Sequence, residues 1–543
     1  MGTELGAGVT VLAKDDGSWA ANPSRIDGLT ITGGDVGGGI YVNAFAHDLE
    51  IANNAVTGNA GNLHGGVRIG VPGLAAPNDG PFGYNTNVDI HHNAITLNGA
   101  ASDTSAGGGL ALCAGTDDYR VTENFVCGNF ALGDGAGIAH YGLSDHGLIQ
   151  HNRVLFNQTF NQGLTKSGGG ILVSGEDLGG ALTLGAGNVT VEGNLIQGNQ
   201  AATGHGGGLR SQWFNGRDVE LNPTQPSAWY RLVVENNVIV DNVAGWAGGG
   251  ISLQDTVRGR IVLNTVANND STATVGDVFD AGTNTSTPQI AGIASERNSI
   301  PLEIVMPAPA PSRLFSNPTL THNIIWHNRS FSYAATDTTA ELLPALTPAA
   351  VGDCPAGADY WDVGVLDPTF ALTPQFSILS EPAGPANSTA DPEFLNAYCN
   401  GARELSTLGP MQVTPAPAEG GNFIDVRFGP ITSQWPAGNA WDYHISETSP
   451  AIDWTPSNGQ QRHQYIQMVL NEQPPPYTGV TEDVDGQDRT PLVDLGADEV
   501  GGAATLVGDC SPNSTNAGAA CTLDNDCPPN FGPAGFRGFC QYP

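Results

Sequence analysis

The sequence predicts an all-β chain wound into one long solenoid of short stacked strands, a parallel β-helix with a small disulfide-rich module at its C-terminus. Three observations carry that prediction. A pair of asparagines five residues apart recurs eight times between residues 49 and 328, and a glycine-rich triplet ahead of an aliphatic residue recurs between the pairs. Glycine itself reaches 74 of 543 residues, roughly twice its usual share.

The first motif reads LEIANNAVTGN (49–59), VDIHHNAITLN (88–98), YRVTENFVCGN (119–129), GLIQHNRVLFN (147–157), VTVEGNLIQGN (189–199) and LVVENNVIVDN (232–242). Two weaker copies follow, GRIVLNTVANN (259–269) and PTLTHNIIWHN (318–328). Apolar and polar residues alternate over three or four positions around each asparagine, which is strand periodicity and excludes helical and leucine-rich solenoids. Asparagine is depleted in strand interiors and tolerates the left-handed conformation, so each repeated asparagine is expected to mark a bend. The second motif, GGGI (37–40), HGGV (64–67), GGGL (107–110), GAGI (135–138), GGGI (168–171), GGGL (206–209) and GGGI (248–251), is expected to make the other corner. The interval between first asparagines runs from 27 residues (237 to 264) to 59 (264 to 323), so a turn of near 27 residues carries variable loops. Stacked at strand spacing, ~4.8 Å, identical asparagines can form amide ladders.

These residues resemble the right-handed parallel β-helix, or pectate-lyase-like, superfamily, and SRIDGLTITGGDVGGGI (24–40) is similar to a first complete turn of such chains. DYHISETSPAIDW (442–454) and EDVDGQDRTPLVDLGADEV (482–500) resemble the closing segment of bacterial surface proteins called choice-of-anchor Q. The resemblance spans roughly 24–500 and implies a right-handed helix on an exported surface protein. It implies no single activity, because that superfamily hosts lyases, epimerases, hydrolases, adhesins and non-enzymatic proteins. The expected organisation is regular turns over 1–335, irregular turns and a closing segment over 336–504, and a Cys-rich cap or anchor over 505–543.

Charge narrows the partners. A net charge of −35 with only two lysines, Lys14 and Lys166, excludes nucleic acid, whose phosphates need clustered cations. It also repels polyanions unless calcium intervenes. No apolar run is long enough for a transmembrane helix. Cys510, Cys521, Cys527 and Cys540 crowd the last residues as a disulfide module, Cys354 can pair with Cys399, and Cys113 can bridge to Cys127 within a turn. An oxidising, extracellular or cell-surface location follows, although no basic and apolar signal sequence follows Met1, so the export signal is expected to be missing from this sequence. LGAGVTVLAKDDGSW (5–19) already reads as strand and turn, so the solenoid is expected to begin upstream, and an uncapped end would invite end-to-end self-association.

For chemistry, Asp134, Lys166, His205 and Trp246 lie four or five residues ahead of the aliphatic that follows successive glycine triplets, and are expected to stack as one column. Arg210 is expected to point outward beyond its triplet, His140 lies one strand position further, and Trp213 and Trp229 offer aromatic faces for sugar rings. Lys166, His205, Arg210 and His140 would be the catalytic set of a β-elimination, which needs a base and a cation beside the uronate. Asp134, Trp213 and Trp246 would bind substrate. Asp117-Asp118 and Gly204-His205-Gly206 resemble two elements of polygalacturonase-type hydrolases, but the NxD and RxK elements are missing. The D-x-D-G-x-D turn, with Asp483, Asp485 and Asp488, suits calcium, or else a capping turn paired with Arg489. Alternation should send His91 and His92 to opposite faces. Two functions are therefore expected: a surface protein that binds or displays, with a polysaccharide or cell-surface component as partner, or a polysaccharide lyase or C5-epimerase.

Overall fold

The computed structural model describes residues 6–71, 83–161, 163–279, 282–307, 313–335, 340–346, 349, 352–400, 442–454, 482–489 and 493–501, and three short strands between 508 and 541. The chain is a right-handed parallel β-helix solenoid built from four sheets of 10, 9, 10 and 8 strands. One turn shows the plan: Leu110–Cys113 belongs to sheet 1, Arg120–Thr122 to sheet 2, Phe125–Cys127 to sheet 3 and Phe130–Ala131 to sheet 4. Ile138–Tyr141 then re-enters sheet 1. The glycine triplet leads into sheet 1, and the two asparagines sit at the corners on either side of sheet 3.

Register is kept from turn to turn, so like stacks on like. Leu110, Ile138, Ile171, Leu209, Ile251 and Ile293 are successive partners in sheet 1. All six are fully buried in one core cluster that runs from Ile31 to Leu379. Three-residue strands give each turn few inward side chains, so stability comes from stacking turns rather than from any one of them. Trp19, on the short helix Ser18–Ala21, packs on this core beside the first-turn residues Val9, Val11 and Ile26.

The asparagines form two continuous side-chain ladders. Asn124 Nδ2 donates to Asn152 Oδ1 at 3.0 Å, Asn152 to Asn194 at 3.0 Å and Asn194 to Asn237 at 2.9 Å. The second row runs likewise through Asn129, Asn157, Asn199 and Asn242. Each Oδ1 also accepts the backbone N–H of the preceding asparagine, as Asn152 does from Asn124 at 2.9 Å. The rows end on other residue types. Asn328 donates to Asp362 Oδ1 at 2.9 Å, and Asn323 N–H to Ser377 Oγ at 3.1 Å.

The bend is not made by the asparagine itself, contrary to expectation. The residue before it takes the left-handed conformation: Asn53 (φ +55°), His92 (+54°), Glu123 (+56°) and His151 (+52°) precede the first row, and Leu97 (+55°), Phe156 (+54°) and Asn268 (+54°) the second. The asparagine is fixed instead by burial and by its amide, which must both donate and accept. The glycines answer to the same ladder. A methyl group placed on Gly66 would lie 2.3 Å from the Gly109 carbonyl oxygen and 3.0 Å from Asn98 Nδ2. On Gly137 it would meet the Gly170 carbonyl oxygen at 2.4 Å and Asn157 Nδ2 at 3.0 Å. The last glycine of each triplet therefore leaves room for the second asparagine row, which is why the two motifs alternate.

The closing segment lies along the solenoid's flank. Strands Phe394–Asn396 and Asp442–Ile445 pair antiparallel, and Tyr443, Ile445, Ala451 and Leu495 pack on Val240, Ala267, Ile324 and Trp326. Val240, Ala267 and Trp326 share one register position of sheet 3, with Ile324 two residues from it, and point away from the bore. Apolar side chains there need a cover. Asn236 Nδ2 to the Glu482 carbonyl (2.9 Å) and Gly496 N–H to the His322 carbonyl (3.0 Å) fix the segment in place.

Cys354 and Cys399 form a disulfide. The expected Cys113–Cys127 bridge is not made: the two thiols are on sheets 1 and 3, in strands separated by a whole face of the turn. Cys510, Cys521 and Cys540 fall in a three-stranded antiparallel sheet in which Cys510 is opposite Cys540, while Cys527 lies outside the described residues. Among the described residues no helix is long and apolar enough to cross a membrane.

Candidate functional site

Alternation along sheet 1 sends every second residue away from the bore, and these outward positions collect the candidate chemistry. Leu172, Arg210 and Ser252 are partners in adjacent turns, as are Ser174 and Gln212. Gln254 and Glu296 follow directly after Leu253 and Ser295, which are themselves partners. Arg210 is only 3 % exposed, and all its nitrogens are engaged. Nε donates to Gln212 Oε1 (3.1 Å), one Nη to Ser252 Oγ (2.7 Å) and to Glu296, and the other to Gln254 Oε1 (3.0 Å). Ser252 Oγ also donates to Glu296 Oε1 at 3.1 Å. Burial pushes the Glu296 carboxyl up, but Arg210, with Ser252, outweighs it and holds the group below its ordinary range.

Loops inserted after sheet 1 border this face on one side. Leu182, Val219, Trp229, Val257, Leu302 and Met306, from three successive insertions and the turn between them, form a satellite core. Trp229 is thus a structural residue, its Nε1 donating to the Asn222 carbonyl at 2.8 Å. Trp213 is half-buried in a left-handed conformation (φ +47°), with its carbonyl oxygen 2.2 Å from where a methyl on Gly175 would sit. Burial, and then Glu176, push the outward Tyr141 hydroxyl up to about 12, so it remains a donor.

The corner between sheets 4 and 1 borders the other side, and it carries two diagonal pairs where one column of four was expected. The Gly107 N–H reaches Asp134 and the Gly168 N–H reaches His205, whereas Lys166 and Trp246 are one residue short of that position. Lys166 Nζ reaches Asp134 Oδ2 at 3.4 Å, and Asp134 Oδ1 accepts the Ser167 N–H at 2.7 Å. Trp246 stacks on His205 with ring centres 4.4 Å apart and planes 27° apart. Burial pushes His205 down to about 4, so the ring is neutral, with Nδ1 3.6 Å from Glu296 Oε1. Burial raises Asp134 despite Lys166. The sequence thus places five of its candidates, Asp134, Lys166, His205, Arg210 and Trp246, on one face.

His140 is not among them. It occupies an inward position of sheet 1, fully buried, between the Tyr119 hydroxyl (2.9 Å from Nδ1) and the Ala186 carbonyl (2.9 Å from Nε2). Burial pushes it down to about 4, and with no route to solvent it is a core residue. His91 and His92 depart from expectation in the other sense. The positive φ of His92 breaks the alternation, and the two Nδ1 atoms share a hydrogen bond of 2.8 Å, flanked by Glu50 and Glu123.

The aspartates of the D-x-D-G-x-D turn do not converge. Asp483 is buried and accepts the N–H groups of Asp485 (3.0 Å), Gln487 (2.7 Å) and Glu499 (3.1 Å), while Asp488 is exposed. Arg489 donates to the carbonyls of Gly496 and Ala497 and pairs with Glu499 at 3.4 Å, as a capping turn requires. Asp485 instead faces His444, whose other nitrogen is held by Asp442. Ligand-type atoms of His444, Asp485 and Asp498 lie within 4.8 Å of one another, and the two flanking carboxylates account for this grouping as a clamped imidazolium.

Sequence reasoning missed Tyr141, Gln212, Gln254 and Glu296. Their signal was present: each falls three residues after the aliphatic that opens its sheet 1 strand, as 138 to 141, 209 to 212, 251 to 254 and 293 to 296. Glu296 was hidden because its turn opens with AGI (291–293), a triplet reduced to one glycine. No family model, no curated protein and no solved structure matches this chain.

Proposed function

We propose that this chain is an exported, extracellular or cell-surface solenoid, akin to bacterial choice-of-anchor Q surface proteins, that binds carbohydrate on the outer face of sheet 1. One observation carries the reading. A floor of buried, mutually hydrogen-bonded polar side chains (Arg210, Gln212, Ser252) is rimmed by half-buried Asp134, Tyr141, Trp246 and Gln254. A face with an aromatic edge and fixed donors suits a hydroxyl-rich ring.

Binding is favoured over turnover because the groups an elimination would use are already engaged. Lys166 is paired to Asp134, and Arg210 has four partners. The test is affinity electrophoresis of the chain and of Trp246→Ala through gels containing extracellular polysaccharides. Retardation that the substitution weakens by about tenfold supports the reading. An ultraviolet-absorbing unsaturated product from alginate, pectate or glucuronan would replace it with the lyase.

A further inference from the structure

We infer that the outer face of sheet 1 takes a neutral glycan rather than a polyuronate, with the sugar chain running along the solenoid axis across successive turns. This rests on the carbohydrate reading above and names its ligand class.

Charge is the first argument. Among the described residues around Arg210 on this face the cations are Lys166 and Arg210, and each already faces a carboxylate, Asp134 and Glu296. Glu176 and Asp177 add two further acids beside Tyr141. A uronate carboxylate would have to displace one of the resident acids from a buried cation, and would do so against a chain of net charge −35.

Donor geometry is the second argument. Arg210 takes the Oε1 atoms of both Gln212 and Gln254, which fixes the two amides with their Nε2 donors turned away from the guanidinium. Tyr141 keeps its proton. The outward positions recur at the strand spacing of ~4.8 Å, close to the length of one pyranose residue. Uncharged donors at that interval match sugar hydroxyls and ring oxygens, and the Trp246–His205 stack supplies a flat rim. None of these groups offers the unpaired cation a carboxylate needs.

The experiment compares retardation of the whole chain in gels of neutral polysaccharide (xylan, galactomannan, mixed-linkage glucan) and of pectate, alginate and glucuronan, at low and at molar salt. Retention by a neutral polymer, changing less than about twofold with salt, is expected. Gln254→Glu keeps the acceptor for Arg210 and removes the Nε2 donor, and should weaken that retention by about tenfold, with circular dichroism verifying the fold. Retention only by the acidic polymers, falling with salt and lost in Trp246→Ala, would overturn the neutral assignment and leave carbohydrate binding standing. Retention by no polymer of either kind would remove the carbohydrate reading itself.

Discussion

Asn199 is the most informative single position in the solenoid. It is fully buried; its Nδ2 donates to the Val154 carbonyl (2.7 Å) and to Asn242 Oδ1 (3.0 Å), and its Oδ1 accepts Asn157 N–H (3.0 Å) and Asn157 Nδ2 (2.9 Å). Nδ2 also donates to the Gln197 carbonyl (3.3 Å), and Asn199→Ala removes all five bonds. The Asn157 Nδ2 retains the Val126 carbonyl at 3.0 Å, but the Asn157 backbone N–H is left buried without its acceptor. An orphaned buried donor costs ~1–3 kcal/mol and each of the four remaining lost bonds ~1 kcal/mol, so the substitution should cost ~5 kcal/mol or more. Asn157→Ala keeps the backbone N–H and removes one of the same bonds, the Nδ2 donation to Asn199 Oδ1, so the double variant should fall short of additivity by about 1 kcal/mol. Urea unfolding followed by circular dichroism gives the total, and hydrogen exchange at the Asn157 amide localises it. A cost below ~1 kcal/mol with additive singles would refute the ladder as a source of stability.

Gly170→Ala would bring its methyl to 2.6 Å from the Gly208 carbonyl oxygen and 3.0 Å from Asn199 Nδ2, and should destabilise by ~2 kcal/mol or more, whereas Gly163→Ala meets nothing within 4 Å and should be near neutral in the same unfolding assay. Stability should fall as the pH rises from about 6.5 to 8, where the buried His64, His140 and His205 are neutral in both states and the raised carboxyls still differ between them. Burial holds His64 down at about 3 and His140 and His205 at about 4, so the unfolded chain binds more protons below their ordinary value and stability is lost as the pH falls from about 6.5 towards 4. Burial raises Asp362 to about 6, Asp483 to about 7 and Glu192 to about 8, so the folded chain holds protons that the unfolded chain loses above about pH 4, and these groups cost stability as the pH rises from there to their folded values, opposing the histidines below about pH 6.5. A melting temperature that is flat from about pH 4 to 8 would contradict this assignment of the buried groups. Replacing Cys354 and Cys399 by serine opens a 45-residue loop worth ~4 kcal/mol of closure entropy, and hydrogen exchange should rise over 352–400 while the ladder amides between Asn93 and Asn269 stay protected.

The architecture was legible because its constraint repeats. Eight asparagine pairs and their glycine triplets impose one register, and that register brings Asp134, Lys166, His205 and Trp246 to one edge beside the outward Arg210, as two diagonal pairs and not the single column expected. Three features were not legible, each for a local reason. A left-handed residue can be histidine, leucine or aspartate as readily as glycine here, so nothing in composition said that the bend precedes the asparagine. His140 and Arg210 both follow a glycine triplet, but at offsets of two and one from the aliphatic, and that single residue separates the bore from the outer face. The closing segment's position depends on an apolar flank at Val240, Ala267 and Trp326, which is read only after sheet 3 has been assembled.

The two asparagine rows also give the solenoid a direction. Every side-chain amide accepts from the turn before and donates to the turn after, so the amide dipoles add head to tail along the bore. Such a row needs donors where it starts and acceptors where it stops. The Leu29 and Gly34 N–H groups open the rows on Asn54 and Asn59, and Ser377 and Asp362 close them. Every turn in between presents the same demand to its successor that it meets for its predecessor. Whole turns can therefore be gained or lost without rewriting their neighbours, and the length of each asparagine row is set by where its two terminators fall in the sequence.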